Sequence, residues 1–423
     1  MRKSLAVLFC IVLSAPFLRA QNPRSKKYYE NLAVKNFLAG LSEAERIAQV
    51  FLVNIEGNKS FYAVESVADV TGDKDDEDRP LIPGGCLFFS YNIGESARET
   101  LDFNGSIMDF CIRHDCVPPY LAVDQEGGLV TRLKDVASYL PSASRVARSL
   151  TPAQAEELYA NQALQLRALG FSMNLAPVAE SITEENGRFL GLRSYGPVPE
   201  TVVYSMAAIR GYERNGVGAV FKHFPGNTNT DPHTGLPEIT MDRRLVSRFL
   251  LDPARIILRA EPSALLMSHA RVSALDPGTP ACLSAAWIKD TLQKGMRYQG
   301  LIISDDIFMA ALAQNGFPPG TAAVMALEAG VDVIMLSEKR FSHVIKVFME
   351  RSRADMEFAD RLFDAERKVI LYKIEKGILS FEELPDGTLR VSVPDGTGPD
   401  AEKRLEDFRS AFSRGVEMYD RWF

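Results

Sequence analysis

This chain is poor in the residues that most often announce chemistry. It has five cysteines and five histidines in 423 residues. No Cys-x-x-Cys pair occurs, so a structural zinc site has no sequence signature. No Gly-x-Gly-x-x-Gly follows an early apolar run, which removes the fingerprint of a dinucleotide-binding fold. Basic excess is missing too: 48 Lys and Arg stand against 55 Asp and Glu, a net charge of −7. A nucleic-acid partner wants a basic face, so none is expected. Neither an internal repeat nor a low-complexity tract is present.

Apolar runs long enough to cross a bilayer are also lacking. The run at residues 5–13 is too short for a span. It follows Arg2 and Lys3 and precedes the small residue Ala20, which predicts an export signal over residues 1–20. The mature protein is then expected outside the cytoplasm, periplasmic or extracellular, with no stable membrane insertion. Cleavage would remove Cys10 and leave Cys86, Cys111, Cys116 and Cys282. Export permits disulfides, but the spacing assigns no pairing.

What is present is ordinary globular composition, 46% apolar and 24% charged. Short apolar runs alternate with helix-length amphipathic segments. Strands are expected at residues 48–53, 86–89, 120–124, 172–178, 217–221, 264–268, 301–304 and 331–336. Helices are expected at 95–113, 152–169, 200–215, 284–294 and 359–376. Thr151-Pro152 and Ser284 read as helix starts. Eight strands alternating with helices predict an α/β fold of the TIM (β/α)8-barrel type. A doubly wound open sheet is the runner-up. The barrel would occupy residues 21–380, and 381–423 would form a Pro/Gly/Asp-rich linker and a closing helix from Ala401. An acidic run, Asp73 to Asp78, reads as a solvated, flexible insertion.

A barrel demands that functional residues gather where strands end. Four runs here end in ionisable groups: at Asp124, at Lys222-His223, at His269 and at Asp305-Asp306. The densest segment is Lys222-His223-Phe224-Pro225-Gly226, followed by Asp231-Pro232-His233. An Asp accepting from one imidazole nitrogen would hold the ring of His233 and leave the other nitrogen to move a proton. Asp305, delivered by a buried strand, is well placed as a nucleophile, with Asp306 capping a helix that starts near Ile307. Asp124, two residues before Glu126-Gly127-Gly128 and near Arg132, suits binding of vicinal hydroxyls. Plainer readings stand beside each of these. Arg132 would neutralise Asp124, Lys222 would pair with a mouth acid, His223 would be a satisfied core histidine, Asp231 would sit in a turn, and Asp305 and Asp306 would only cap and solvate the strand end. Lys222 and His223, being neighbours, address one ligand only if the backbone bends between them. A metal hydrolase is a weak rival, because His223, His233 and His269 are not clustered as ligands.

Taken together the motifs resemble glycoside hydrolase family 3, in particular its single-domain N-acetyl-β-glucosaminidases. The resemblance runs from about residue 40 to 378. It is carried by Leu41-Ser42-Glu43 with Ile47-Ala48-Gln49, which read as an opening helix and compete with the strand at 48–53. Asp124-Gln125-Glu126-Gly127-Gly128, Asn174-Leu175-Ala176-Pro177-Val178, Arg193-Ser194-Tyr195-Gly196, the Lys222 segment, Met267-Ser268-His269, Ser304-Asp305-Asp306 and Ala326-Leu327-Glu328-Ala329-Gly330 follow in order. The resemblance implies hydrolysis of a terminal β-linked N-acetylglucosamine with retention. Asp305 would be the nucleophile and His233, oriented by Asp231, the acid/base. Asp124, Arg132, Arg193, Lys222 and His223 would bind the sugar. A carbohydrate is the implied partner, with neither cofactor nor metal. Peptidoglycan fragments or related glycans are the implied source.

The departures are specific. Gly226 runs straight into Asn227-Thr228-Asn229-Thr230, two residues shorter than the family pattern. Pro232, Leu129 and Glu180 stand where the family has Ser, Arg and Asp. A same-fold β-glycosidase or phosphorylase of other specificity, or a non-catalytic sugar-binding barrel, are the alternatives that these changes leave.

Overall fold

The computed structural model describes residues 23–231, 235–394 and 400–423. Eight short parallel strands form its centre: β1 (Phe51–Asn54), β2 (Gly85–Phe88), β3 (Tyr120–Val123), β4 (Met173–Asn174), β5 (Gly218–Phe224), β6 (Ala264–Met267), β7 (Leu301–Ile303) and β8 (Ile334–Leu336). Neighbours in the sheet follow chain order from β1 to β7, and β8 lies against β1. The ring closes between β7 and β8 through a parallel bridge, Ile303 to Val333, with Ser304 N donating to Val333 O at 2.9 Å. The fold is therefore the expected TIM-type barrel, and the open-sheet alternative falls.

The strands are buried on both faces, as a parallel sheet covered by helices requires. Leu52, Leu87, Ala122, Met173, Val220, Leu266, Ile303 and Met335 pack inside the ring. Their strand neighbours Phe51, Val53, Cys86, Val123, Ala219, Leu265 and Ile302 pack outward with the helices. Helix Met356–Glu375 plugs the bottom, where Tyr372 donates to Ser172 O at 2.9 Å. All four described cysteines are free thiols. Among the described residues no helix is long and apolar enough to cross a membrane.

Several boundaries differ from the sequence expectation. The two readings of residues 41–53 both hold in part. Ser42 and Glu45 close a capping box on helix Glu43–Ala48, and the strand begins only at Phe51. The run at 172–178 keeps just two ladder residues, because Pro177 cannot donate; Val178 rejoins as a bridge to Lys222. Thr151 caps helix Pro152–Leu169 as expected. Ser284 starts its helix by its carbonyl, not its side chain, which donates to Asp276. That helix, Ala286–Gly295, is wound wide, with Met296 N bonded to Thr291 O. The acidic insertion is solvated but folded. Val67, Val70, Leu81 and Ile82 anchor it in the core, and buried Glu65 accepts from Phe341 N and Ser342 N. Residues 380–392 form a hairpin, Ser380–Glu383 against Leu389–Ser392, before the closing helix Ala401–Trp422.

Candidate active site

The parallel ring puts the four ionisable strand ends on one face of the barrel. Strand β5 does not end at Phe221, as expected, but runs on through Lys222 and His223 to Phe224. Its pairing with β6 skips from Lys222 to Phe224, so the bend that the two neighbours needed is present as an irregularity in the ladder. The Lys222–His223 peptide is cis.

Lys222 sits at the centre of a buried charge cluster. Its Nζ lies 2.7 Å from Asp124 Oδ1 and 2.6 Å from Glu126 Oε1. Arg193 grips the same Glu126 with two bonds, 2.8 and 2.9 Å. Arg132 approaches Asp124 at 3.7 Å. Four of the five expected sugar-binding residues are therefore brought together, and they are tied to one another. Burial would push the Lys222 ammonium down, yet Asp124 and Glu126 raise it. Burial would likewise raise the Glu126 carboxyl, but Lys222 and Arg193 overcome it and hold it at about 2. Glu126 is the residue that the sequence reading passed over; its place in the quoted Asp-Gln-Glu-Gly-Gly run was the available signal. Gly127 and Gly128 take φ of 98° and 62°. A Cβ on Gly127 would stand 2.3 Å from Pro141 O, so glycine is required for this hairpin to fold back.

His223, the fifth, faces another acid. Its Nδ1 is 2.8 Å from Glu180 Oε1. Glu180 also accepts from Asn227 N at 2.6 Å and from Asn227 Nδ2 at 3.1 Å. The residue noted as a departure thus locks the start of the shortened loop to the end of β4. Asn229 continues the attachment, donating to Glu184 O and Glu185 O and accepting from Arg188 N and Phe189 N. Asp231 is described and has interactions of its own. His233 lies outside the described residues.

Asp305 follows β7, two strands round from β5, and is 6% exposed. Its Oδ1 accepts from Asp306 N at 2.9 Å, which orients the carboxylate. Asp306 takes the other role. It accepts from Phe308 N and Ser337 N, capping a turn and tying β7 to β8; the helix expected from Ile307 begins only at Ala310. His269 is wholly buried, with Nε2 3.1 Å from Asp306 O and Nδ1 3.2 Å from Cys282 Sγ. Burial and Asp305 push the Cys282 thiol well up, so it keeps its proton and donates it to Nδ1. A carbonyl only accepts, so Nε2 carries the ring proton. His269 is a structural brace for the Asp305-Asp306 turn. Among the described residues no group of three or more His, Cys, Asp or Glu could hold a metal ion.

The Glu126 hub makes a stability prediction. Its carboxyl falls from an ordinary 4.5 to about 2 on folding, so its contribution is fully present above pH 4.5 and lost as pH drops toward 2. Glu126→Gln leaves the buried Lys222 and the partly buried Arg193 short of a partner and should cost about 3 kcal/mol at pH 7. The melting-temperature gap between wild type and variant should close between pH 4.5 and 2. A gap unchanged across that window would contradict the hub.

Known proteins resemble this chain in sequence and in fold. Residues 84–370 match the glycosyl hydrolase family 3 N-terminal domain. A β-hexosaminidase of Methylococcus capsulatus is 34% identical over 263 residues, covering 60% of this chain and 75% of that one. β-Hexosaminidase A of Pseudoalteromonas piscicida is 27% identical over 274 residues, and the match spans only 45% of its length. Among solved structures, a family 3 β-N-acetylglucosaminidase from Paenibacillus sp. superposes with a TM-score of 0.67 at 25% identity, over 88% of this chain and 68% of that one. The β-glucoside phosphorylase BglX superposes at 0.71 with 17% identity over 95% of this chain and 68% of that one, a likeness of fold.

Proposed function

Because the chain belongs to glycosyl hydrolase family 3, we propose that it is a retaining exo-glycosidase that removes terminal β-linked N-acetylglucosamine, with peptidoglycan fragments or related glycans as its natural source. The observation that carries this reading is the meeting, on one barrel face, of a buried, oriented Asp305 and the Asp124–Lys222–Glu126–Arg193 cluster. The names of the similar hexosaminidases support the choice of sugar.

The reaction follows from these residues. Asp305 attacks C1 of the sugar as the glycosidic oxygen leaves, and His233 gives that oxygen its proton. The result is a glycosyl ester on Asp305. His233 then takes a proton from water, the water oxygen bonds to C1, and the Asp305 carboxylate is released. Two inversions give retention. Asp231 would hold the His233 ring, and Asp124, Arg132, Arg193, Lys222 and His223 would hold the sugar hydroxyls and acetamide. Arg2, Lys3 and the apolar run after them support export.

A panel of 4-nitrophenyl β-glycosides, run with and without phosphate, tests the assignment. Release of nitrophenol chiefly from the N-acetylglucosaminide, with free sugar as product in both arms, is the expected result. Preference for glucoside, or a sugar 1-phosphate product, would replace it.

A further inference from the structure

Strands β8, β1, β2 and β3 are successive neighbours in the ring, and the segments leaving their C-terminal ends meet in an aromatic shelf. Phe89 and Tyr91 leave β2 with their rings parallel within 4° and 6.0 Å apart. Tyr91 is 51% exposed. A tyrosine so open to water is ordinarily free to turn. This one is not, because its hydroxyl donates to the buried Asn54 Oδ1. Asn54 is itself fixed, donating to Leu87 O at 3.1 Å and to Asn92 Oδ1 at 3.3 Å. Asn92 in turn donates to Ile55 O and Gly57 O. An amide network buried under β1 and β2 thus holds an exposed ring in one orientation.

A cation lies over each ring. Lys339, after β8, lies 5.4 Å from the Tyr91 ring centre and pairs with Glu56, after β1. Arg132 lies over the Phe89 ring, 5.7 Å from its centre, and reaches Asp124. Its Nε is buried and has no hydrogen-bond partner among the described residues. Arg132 therefore joins the shelf to the sugar-binding cluster without a break.

A fixed aromatic surface edged by donors and acceptors matches one chemistry closely. A pyranose presents a face of C–H groups and a rim of hydroxyls, and the preformed ring orientation removes the ordering cost of binding. We propose that Phe89 and Tyr91 form a second subsite that seats the sugar ring of the leaving group, with Lys339, Glu56 and Arg132 addressing its hydroxyls. The substrate class is then an oligosaccharide, not a glycoside of a small alcohol. This inference rests on the glycosidase reading above.

The test compares two substrates that share the sugar to be transferred and differ in the leaving group: N,N′-diacetylchitobiose and 2-acetamido-2-deoxy-β-glucosyl azide. Azide is too small to touch the shelf. The measured quantity is the ratio of kcat/KM on the disaccharide to kcat/KM on the azide. Tyr91→Ala should lower that ratio roughly five- to tenfold, the range set by loss of one aromatic contact. Tyr91→Leu, which keeps apolar volume but no ring, should lower it similarly and serves if the alanine variant folds poorly. Tyr91→Phe, which keeps the ring but loses the hydroxyl that fixes it, should lower the ratio less than Tyr91→Ala does. An unchanged ratio in both Tyr91→Ala and Tyr91→Leu overturns the subsite, even if overall activity drops. Wild-type protein that hydrolyses neither substrate overturns the glycosidase reading instead.

Discussion

Asp305→Ala is expected to lower kcat/KM on 4-nitrophenyl N-acetyl-β-glucosaminide by about ten-thousandfold or more, since a double displacement without its nucleophile has no first step. The fold should tolerate the change. The hydrogen bond recorded for the carboxylate is the local one from Asp306 N, and the braces of the turn are Asp306 and His269. The melting temperature should therefore stay close to that of wild type while activity disappears. Sodium azide offers a chemical check. The anion can enter the space left by the carboxylate, attack C1 from the same side and expel nitrophenolate. One inversion gives the α-glycosyl azide. Full activity in the alanine variant, or rescue giving only the β-azide, would remove Asp305 from the nucleophile's role.

His233→Ala should cost about a hundred- to ten-thousandfold in kcat/KM on N,N′-diacetylchitobiose, the usual range for one general acid/base group. A sugar alkoxide is a poor leaving group and needs the proton. Nitrophenolate hardly needs it, so kcat/KM on the nitrophenyl glycoside should fall far less. The second step still needs a base, so kcat should fall and a burst of nitrophenol should precede a slow steady state. The pH profile of wild-type kcat/KM should show a limb set by an imidazole, ordinarily near 6.5, and the variant should lose that limb. Equal losses on both substrates, with the limb intact, would point to another proton donor.

Asp305 was legible in the sequence as the polar end of an apolar run, whereas His233 was read from its spacing to Asp231 in a loop and from the family resemblance. Runs such as Leu301-Ile302-Ile303 and Gly218-Ala219-Val220-Phe221 are too apolar and too short for anything but buried strands. Whatever polar residue follows such a run in a parallel barrel must emerge at the active face. Asp124, Lys222, His223 and Asp305 were found that way. The hairpin at 380–392 was missed although its turn, Asp386-Gly387, is a standard signal flanked by alternating residues. Its Pro and Gly content had read as a linker. The end of β5 was placed too early because Lys222 and His223 are polar, and a polar residue inside a strand is readable only when its partner is known.

That last point marks the division. The sequence by itself determined the order of strands and helices, several of the caps, and which chemical groups reach the barrel mouth. Periodicity, capping and chain order act locally and leave their trace in consecutive residues. Only the tertiary structure decided which of those groups spend themselves on each other. It made Glu126 the hub for Lys222 and Arg193, gave His223 to Glu180, and sealed His269 between Cys282 and Asp306. Charge pairing and burial are set by distance through space, and the partners here lie on separate strands, turns and loops, where no spacing along the chain records their meeting.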